Sequence, residues 1–290
     1  MNRYLALKTV IEYGNFSRAA EALGYTQPAV SQMIASLEEE LGVQLLQRSR
    51  NGAVLTEEGK AVYPYIEQTL TANERIREKA EEVRGLETGI VRIASISSAA
   101  TRWLPALIKA FREEHPGVRF QIRTGNFNGV LELLRTGLAD LAVTSVEACV
   151  SYQYIKIKSG RMLAVLPKGH PLAKLDTVPL ESFRTEPSVL LEKGDYHEPT
   201  RALADLSIYT DTPIDVENDD HTIMAMVEQG LGISMLSELM LENNGFEIEL
   251  RPTDPAVYRH LGVIYKDKDA LPAAARRFIE ELKEHVDELL

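Results

Sequence analysis

The chain has 290 residues, 44% of them hydrophobic and 26% charged, which excludes a disordered or fibrous protein and suits two or three domains. Its formal charge is −11, from 32 Lys and Arg against 43 Asp and Glu. That balance speaks against attraction of nucleic acid by the chain as a whole but is silent about local patches. The single cysteine, Cys149, excludes an internal disulfide and a Cys-rich zinc site. Residues Met1 to Lys8 lack the apolar core of a signal peptide, and no apolar run nears the ~18 residues of a membrane span. A reducing cytoplasm is therefore expected, with no membrane partner.

Residues 1–60 read as short helices joined by tight turns. Tyr4, Leu7 and Ile11 share one helical face, and Gly14 supplies a left-handed stop. Ser17 is placed to cap a second helix, Arg18 to Leu23, with Ala19, Ala20 and Leu23 on its apolar side. After the turn Gly24-Tyr25-Thr26, Thr26 or Gln27 caps a third helix with Pro28 in its first turn, where a missing N–H is harmless. Val30, Ile34, Leu37 and Leu41 form its buried stripe, and Gly42 ends it. Asn51-Gly52 then signals a hairpin, giving a two-stranded wing with Arg48 and Arg50 on its first arm.

Residues 57–86 form one long helical pattern. Val62, Ile66, Leu70, Asn73, Ile76, Ala80 and Val83 average 3.5 residues per step, the coiled-coil period, with Asn73 able to fix register. This favours a dimer seam over an amphipathic helix packed on its own domain, although Pro64 should bend or loosen the early part. Gly85 and Gly89 mark a boundary.

From residue 90 onward, apolar strand candidates alternate with helices. The strands are Val91–Ile96, Phe120–Arg123, Leu141–Thr144, Leu163–Leu166, Val189–Leu191, Ile233–Leu236 and Gly262–Tyr265. The helices are Trp103–His115, Val130–Thr136, Thr200–Leu206 and Thr222–Gln229, with a last one near residues 273–290 that aligns Ala275, Phe278, Leu282 and Leu289. The pattern predicts parallel α/β sheets, and two hundred residues suit two small lobes.

The residues around the helical turn are more specific than the pattern. The runs Gly14-Asn15-Phe16-Ser17-Arg18-Ala19-Ala20-Glu21-Ala22-Leu23, Thr26-Gln27-Pro28-Ala29-Val30-Ser31-Gln32 and Leu37-Glu38-Glu39-Glu40-Leu41-Gly42 resemble the DNA-binding segment of LysR-type transcriptional regulators. The likeness continues through Leu45-Leu46-Gln47-Arg48 and Leu55-Thr56-Glu57-Glu58-Gly59, about 46 contiguous residues. It departs at Leu46, where the family usually has Phe, so only a packing adjustment is expected there. Looser marks follow in His115-Pro116-Gly117-Val118, in Gly137 to Val143, in Pro167 to Leu172 and in Val227 to Ile233. The resemblance implies an α/β multidomain protein. A winged helix-turn-helix would occupy 1–58 and a linker and dimerisation helix 59–88. A two-lobed effector domain, similar to periplasmic binding proteins, would occupy 90–290. Lobe I would take 90–162 and 267–290, and lobe II 163–266. It further implies a homodimer, a tetramer that bends DNA, and contact with RNA polymerase.

Phosphate contacts supply affinity and base edges supply specificity. Arg18, Arg48 and Arg50 are the phosphate candidates. Gln27, Ser31 and Gln32 are the base-reading candidates, Pro28 and Ala29 can touch a thymine methyl, and Ser17 and Thr26 complete the set at the helix starts. Each Arg alone would more often be a solvated surface residue. Most of the acidity lies in 90–290, at −8, while residues 1–60 carry −1. A near-neutral head predicts weak monomeric binding and a need for dimerisation.

Ligands in open α/β sheets bind at strand carboxyl ends near helix starts. Ser97, Ser98, Asn126, Asn128, Thr144 and Ser145 meet that rule in the first lobe. Tyr196, Thr200, Asp220 and Thr222 meet it in the second. Each is about as well explained as a helix cap. The hydroxyls and amides suit a small carboxylate or other anion. Asp215, Glu217, Asp219 and Asp220 would oppose an anion or pair with an ammonium group, and Arg102, Arg123, Arg161 or Arg201 could counter them. An effector would act by shifting the lobe equilibrium. No cofactor is implied.

Two other classes compete: an enzyme, and a two-lobed small-molecule binding protein without a DNA-binding role. The chain has no Gly-x-Ser-x-Gly elbow, phosphate loop or His-Glu-x-x-His, and its six histidines have no metal-ligand spacing. Cys149 has no neighbour that would lower its pKa, so a packed thiol is favoured over a redox sensor.

Overall fold

The computed structural model describes residues 1–49, 52–85, 88–146, 149, 151–191, 198–208, 213–216, 219–242 and 244–285. Arg50, Asn51, Tyr196, Glu217 and Leu289 lie outside the described residues. The chain divides into two compact units, Met1–Ala80 and Glu81–Leu290.

The first unit packs α1 (Asn2–Tyr13), α2 (Phe16–Leu23) and α3 (Gln27–Leu41) around a common core, followed by a hairpin of β1 (Leu46–Ser49) and β2 (Gly52–Leu55) and by α4 (Glu57–Val83). Each helix stops where the sequence offers a left-handed residue, at Gly14, Gly24 and Gly42. The cap of α2 is Asn15, not Ser17: its side-chain oxygen accepts from the N–H groups of Ser17 (2.8 Å) and Arg18 (3.2 Å). Thr26 caps α3 through the Ala29 N–H. The wing leans on the first turn, where Ala53 N–H donates to Gly14 O at 2.9 Å. A Cβ at Gly52 would sit 1.8 Å from that same oxygen, so the position has to be glycine. Leu46 is buried where a Phe was the family expectation. Glu38 is not a solvated acid. Its carboxylate accepts from the Leu45 and Leu46 N–H groups at 2.7 and 3.0 Å and fastens the wing to α3.

The long helix α4 departs from its expected role along half its length. It runs unbroken through Pro64, which gives up only its own N–H bond to the preceding turn. Ile66 and Leu70 are buried in the core of the first unit, with Val62 and Tyr63 beside them, so the early part of the seven-residue stripe is a packing face of its own domain. Ile76 and Val83, at 70% and 77% exposed, are the part that stays open. The compact first unit takes in α4 as far as Ala80.

The second unit holds two lobes. Lobe I contains β3 (Gly89–Ser95), α5 (Ser97–Arg102), α6 (Leu104–Glu114), β4 (Val118–Thr124), α7 (Phe127–Arg135), β5 (Leu141–Ser145) and, from the far end of the chain, α11 (Ala273–His285). β3 pairs in parallel with β4 and β5. Phe111, Phe120 and Phe278 meet edge-on with centroids 5.2 to 5.7 Å apart and clamp α6, β4 and α11 together. Asp140, buried with Arg92, accepts the Arg92 N–H at 2.9 Å and lies 3.7 Å from its guanidinium. The Gly137 to Val143 motif thus places a structural ion pair at the entry to β5.

Two long strands connect the lobes, β6 (Gln153–Pro167) and β11 (Ile248–Tyr265). They pair antiparallel with each other. β11 also pairs antiparallel with β5 through Leu261–Ile264, whereas β6 pairs with β10 (Ser234–Ser237) through Met162–Val165. The sheet is mixed, not purely parallel. The return to lobe I begins within β11, several residues before the expected 267. Lobe II adds β7 (Val178–Pro179) beside β11, the parallel pair β8 (Ser188–Leu191) and β9 (Pro213–Val216), and the helices α8 (Glu198–Asp205), α9 (Asp220–Glu228) and α10 (Glu238–Leu241). Two 3-10 turns, Pro171–Lys174 and Leu180–Arg184, flank β7. Apolar cores fill both faces of the lobe II sheet.

Candidate nucleic-acid interface and effector cleft

In the first unit, α3 buries Val30, Ile34 and Leu37 and turns Pro28, Gln32, Ala35 and Ser36 to solvent. Gln27, Ala29 and Ser31 are half-buried along the edge of that face. Gln32 is thus the base-reading candidate with the freest side chain, while Thr26 spends its hydroxyl oxygen on the helix cap. Ser17 and Arg18 are exposed in the first turn of α2. Arg48 stands on β1 opposite Ala53 in the hairpin register.

Sequence reasoning passed over Arg3. Its guanidinium donates to Ser36 Oγ at 3.1 Å and lies 2.6 Å from the Glu40 carboxylate, placing a cation from α1 on the exposed edge of α3. No local signal joins residues 33 positions apart, so only the packing of α1 on α3 reveals it.

In the second unit, Ser97 and Ser98 open α5 directly after β3, with Ser98 buried. Asn126 caps α7 by accepting the Gly129 N–H at 2.9 Å, so its carbonyl is committed; Asn128 is exposed in the first turn of α7. Thr144 and Ser145 close β5, both buried. Thr144 is fully buried, and its Oγ1 has no hydrogen-bond partner among the described residues. Ser188 and Ser234 share that state but open their strands, whereas Thr144 lies at a strand's carboxyl end. An unsatisfied buried hydroxyl there costs about 1–3 kcal/mol.

In lobe II, Asp219 caps α9, accepting the N–H groups of His221 and Thr222 and the Thr222 hydroxyl (2.6 Å). The Thr222 bond, ahead of the two backbone bonds, holds the Asp219 carboxyl below the usual range. Thr222 is therefore committed to the cap. Asp220 behaves oppositely: burial pushes its carboxyl upward, against the pull of nearby Arg259 and His221. Thr200 lies half-buried in the first turn of α8, and Asp215 is exposed on β9.

The cation opposing Asp220 is none of the four expected. Arg102 donates to Glu242 O and ties α5 to α10, Arg161 lies over the Tyr258 ring, and Arg201 pairs with Asp205. Arg123 stands half-buried on β4. Arg259 on β11 is the charge that Asp220 feels, only 9% exposed, opposite Gly160 in the register. The Glu238 carboxylate reaches the same place: it accepts the Arg161 N–H at 2.9 Å and is the first group that a Cβ at Gly160 would meet. Arg259 is thus a buried guanidinium near Asp220.

Two further groups bear on chemistry. Cys149 is buried, and its thiol points at Ser145 O at 3.4 Å, the surroundings of a packed side chain. Glu114, His115 and Glu281 bring donor atoms within 4.8 Å of one another although they are far apart in sequence. His115 Nε2 lies 2.5 Å from Glu281 Oε1, a hydrogen bond that joins the end of α6 to α11.

Two family models cover the chain. The bacterial regulatory helix-turn-helix protein model of the lysR family matches residues 1–60, and the LysR substrate binding domain matches residues 84–287. The chain belongs to the LysR family. It is a DNA-binding transcriptional regulator with an effector-binding domain. It is 32% identical to the HTH-type transcriptional regulator YvbU of Bacillus subtilis (strain 168), over 95% of this chain and 94% of that one. It is 30% identical to the transcriptional dual regulator GltC of the same organism, over 87% and 86%. Among solved structures, the LysR-type CbnR complexed with its target DNA shares the fold, with a TM-score of 0.70, 20% identity, and coverage of 100% of this chain and 99% of that one. These relatives are named as transcriptional regulators. No described helix is long and apolar enough to cross a membrane.

Proposed function

We propose that this regulator reads its operator through the exposed face of α3 and binds as a dimer joined along the second half of α4. The observation that carries the reading is the division of α3: one side is locked into the core, and the other offers Pro28, Gln32 and Ser36 beside the half-buried Gln27, Ala29 and Ser31. Gln32 is suited to pair with an adenine edge, and Ser31 and Gln27 assist from its flank. Arg18, Arg48, Arg50 and Arg3 are the phosphate contacts, with Ser17 and Thr26 at the helix starts beside them. Partial neutralisation by Glu40 limits the share of Arg3.

A small anion is the effector this cleft favours. Ser97, Ser98 and Thr144 supply hydroxyls from lobe I, and Arg259 supplies charge from the crossing strand. Asn128, Ser145 and Thr200 line the approach, whereas Asn126 and Thr222 act as caps. Its binding shifts the balance between lobe arrangements in proportion to its preference for one of them. A cytoplasmic tetramer that engages RNA polymerase completes the reading.

The test is a base-resolved footprint of the chain on its own upstream DNA at fixed salt. Gln32→Ala should lose about ten- to a hundredfold in preference for the operator and keep its weaker nonspecific binding. An unchanged footprint would remove Gln32 from the interface.

A further inference from the structure

We propose, building on the dimeric reading above, that Glu38 and Thr56 are positioning residues for operator recognition. Through the short segment of residues 44–46 they couple the direction of α4 to that of α3, and so set which spacing of half-sites the dimer accepts. Neither residue has to touch DNA for this.

From the α3 side the segment is held by its donors. Glu38 stands in the last turn of α3, and its Oε1 accepts both the Leu45 N–H at 2.7 Å and the Leu46 N–H at 3.0 Å. The Glu38 backbone carbonyl accepts the Val43 N–H at 3.2 Å, so one residue fixes the exit from the helix twice. From the α4 side the segment is held by its carbonyls. Thr56, just before α4, donates its hydroxyl to Gln44 O at 2.6 Å and its N–H to Leu45 O at 3.0 Å. The same hydroxyl accepts the Gly59 N–H at 2.8 Å and so caps the first turn of α4. Two consecutive peptide groups, Gln44 to Leu45 and Leu45 to Leu46, therefore each donate to Glu38 and accept from Thr56. The Leu45 side chain is fully buried, and a Cβ on Gly59 would come 2.2 Å from Leu45 O. Helix and segment meet backbone to backbone, with no side chain between them to yield.

A tilt of α4 must then carry α3 with it or break these bonds. The wing moves as part of the same body, because β1 begins at Leu46. In a dimer joined along the second half of α4, the direction of each α4 fixes where its own α3 falls on the duplex. Half-sites lie roughly 34 Å apart or a multiple of that, so slack at the segment becomes tolerance of a wrong spacing. A cap that only stabilised the fold would act otherwise, weakening binding to every operator alike.

The experiment titrates the full chain, at fixed salt, on its own footprinted operator and on two versions with the half-sites one base pair closer or farther apart. Wild type should bind the native spacing at least about tenfold more tightly than either altered one. Thr56→Val keeps the shape but loses the hydroxyl, and should cut that preference to about twofold or less. Thr56→Ser, which keeps the hydroxyl, should restore it. Glu38→Ala should behave as Thr56→Val does, and Glu38→Gln, which keeps the accepting oxygen without the charge, as wild type does. An equal loss of affinity for all three operators in Thr56→Val, or an unchanged preference, would overturn the proposal and leave the dimeric reading standing. A wild type indifferent to spacing would overturn both. Melting curves show which variants are folded, and Glu38→Ala, which opens the segment from its other side, decides the matter should Thr56→Val fail to fold.

Discussion

Thr144 and Asp219 show how differently two polar residues of one cleft are held. Asp219 is fully occupied as a cap, and its lowered carboxyl pKa fixes the sign of its pH dependence. The charged form is favoured on folding, so its stabilisation is complete above the unfolded value of 3.8 and fades as pH falls through the lower folded value. Asp219→Ala should therefore lower the stability of the chain by about 1 kcal/mol at pH 7, and the difference from wild type should shrink in strong acid, as thermal melts at both pH values would show. Thr144 is the reverse, a buried hydroxyl with nothing described to bond it. Thr144→Val should leave the effector-free melting temperature unchanged or higher, because the orphan group is gone, and should weaken effector binding. A clear fall in melting temperature would mean that the hydroxyl is satisfied in the free protein. Hydroxyls at strand ends were legible in the sequence because topology dictates where strands stop. Arg259 was not, since nothing nearby in sequence says that a charged residue in an irregular-looking stretch faces inward beside Asp220.

At the scale of elements, α4 is the instructive case. The seven-residue spacing is real, yet spacing alone does not say which partner an apolar stripe meets. Ile66 and Leu70 meet their own domain, and only the later positions stay open. The two halves should separate on mutation. Leu70→Ala should destabilise the first unit by about 2–5 kcal/mol, read from its denaturation midpoint. Ile76→Glu should leave that midpoint in place and shift sedimentation toward the monomer. The crossing strands explain where strand reading fell short. In β11, Pro252, Asp254 and Pro255 interrupt the apolar alternation, so only Gly262–Tyr265 looked like a strand. In β6 the outward lysines Lys156 and Lys158 masked the first half. Helices were read more fully because their stops are single residues: Gly14, Gly24 and Gly42 end α1, α2 and α3 where the sequence placed them.

For the molecule as a whole, the distribution of charge sets the terms of DNA binding. A head segment of net charge −1 has few cations to offer phosphate, and Arg3, one of them, is shared with Glu40. Affinity then has to come from two heads acting together, each adding its own counterion release. The most direct measurement is the salt dependence of DNA affinity for the full chain and for Ile76→Glu, each at a concentration where its oligomeric state has been fixed by sedimentation. The monomeric variant should bind operator DNA far more weakly, with about half the slope of log affinity against log salt. A monomeric variant that keeps the wild-type affinity and slope would contradict it.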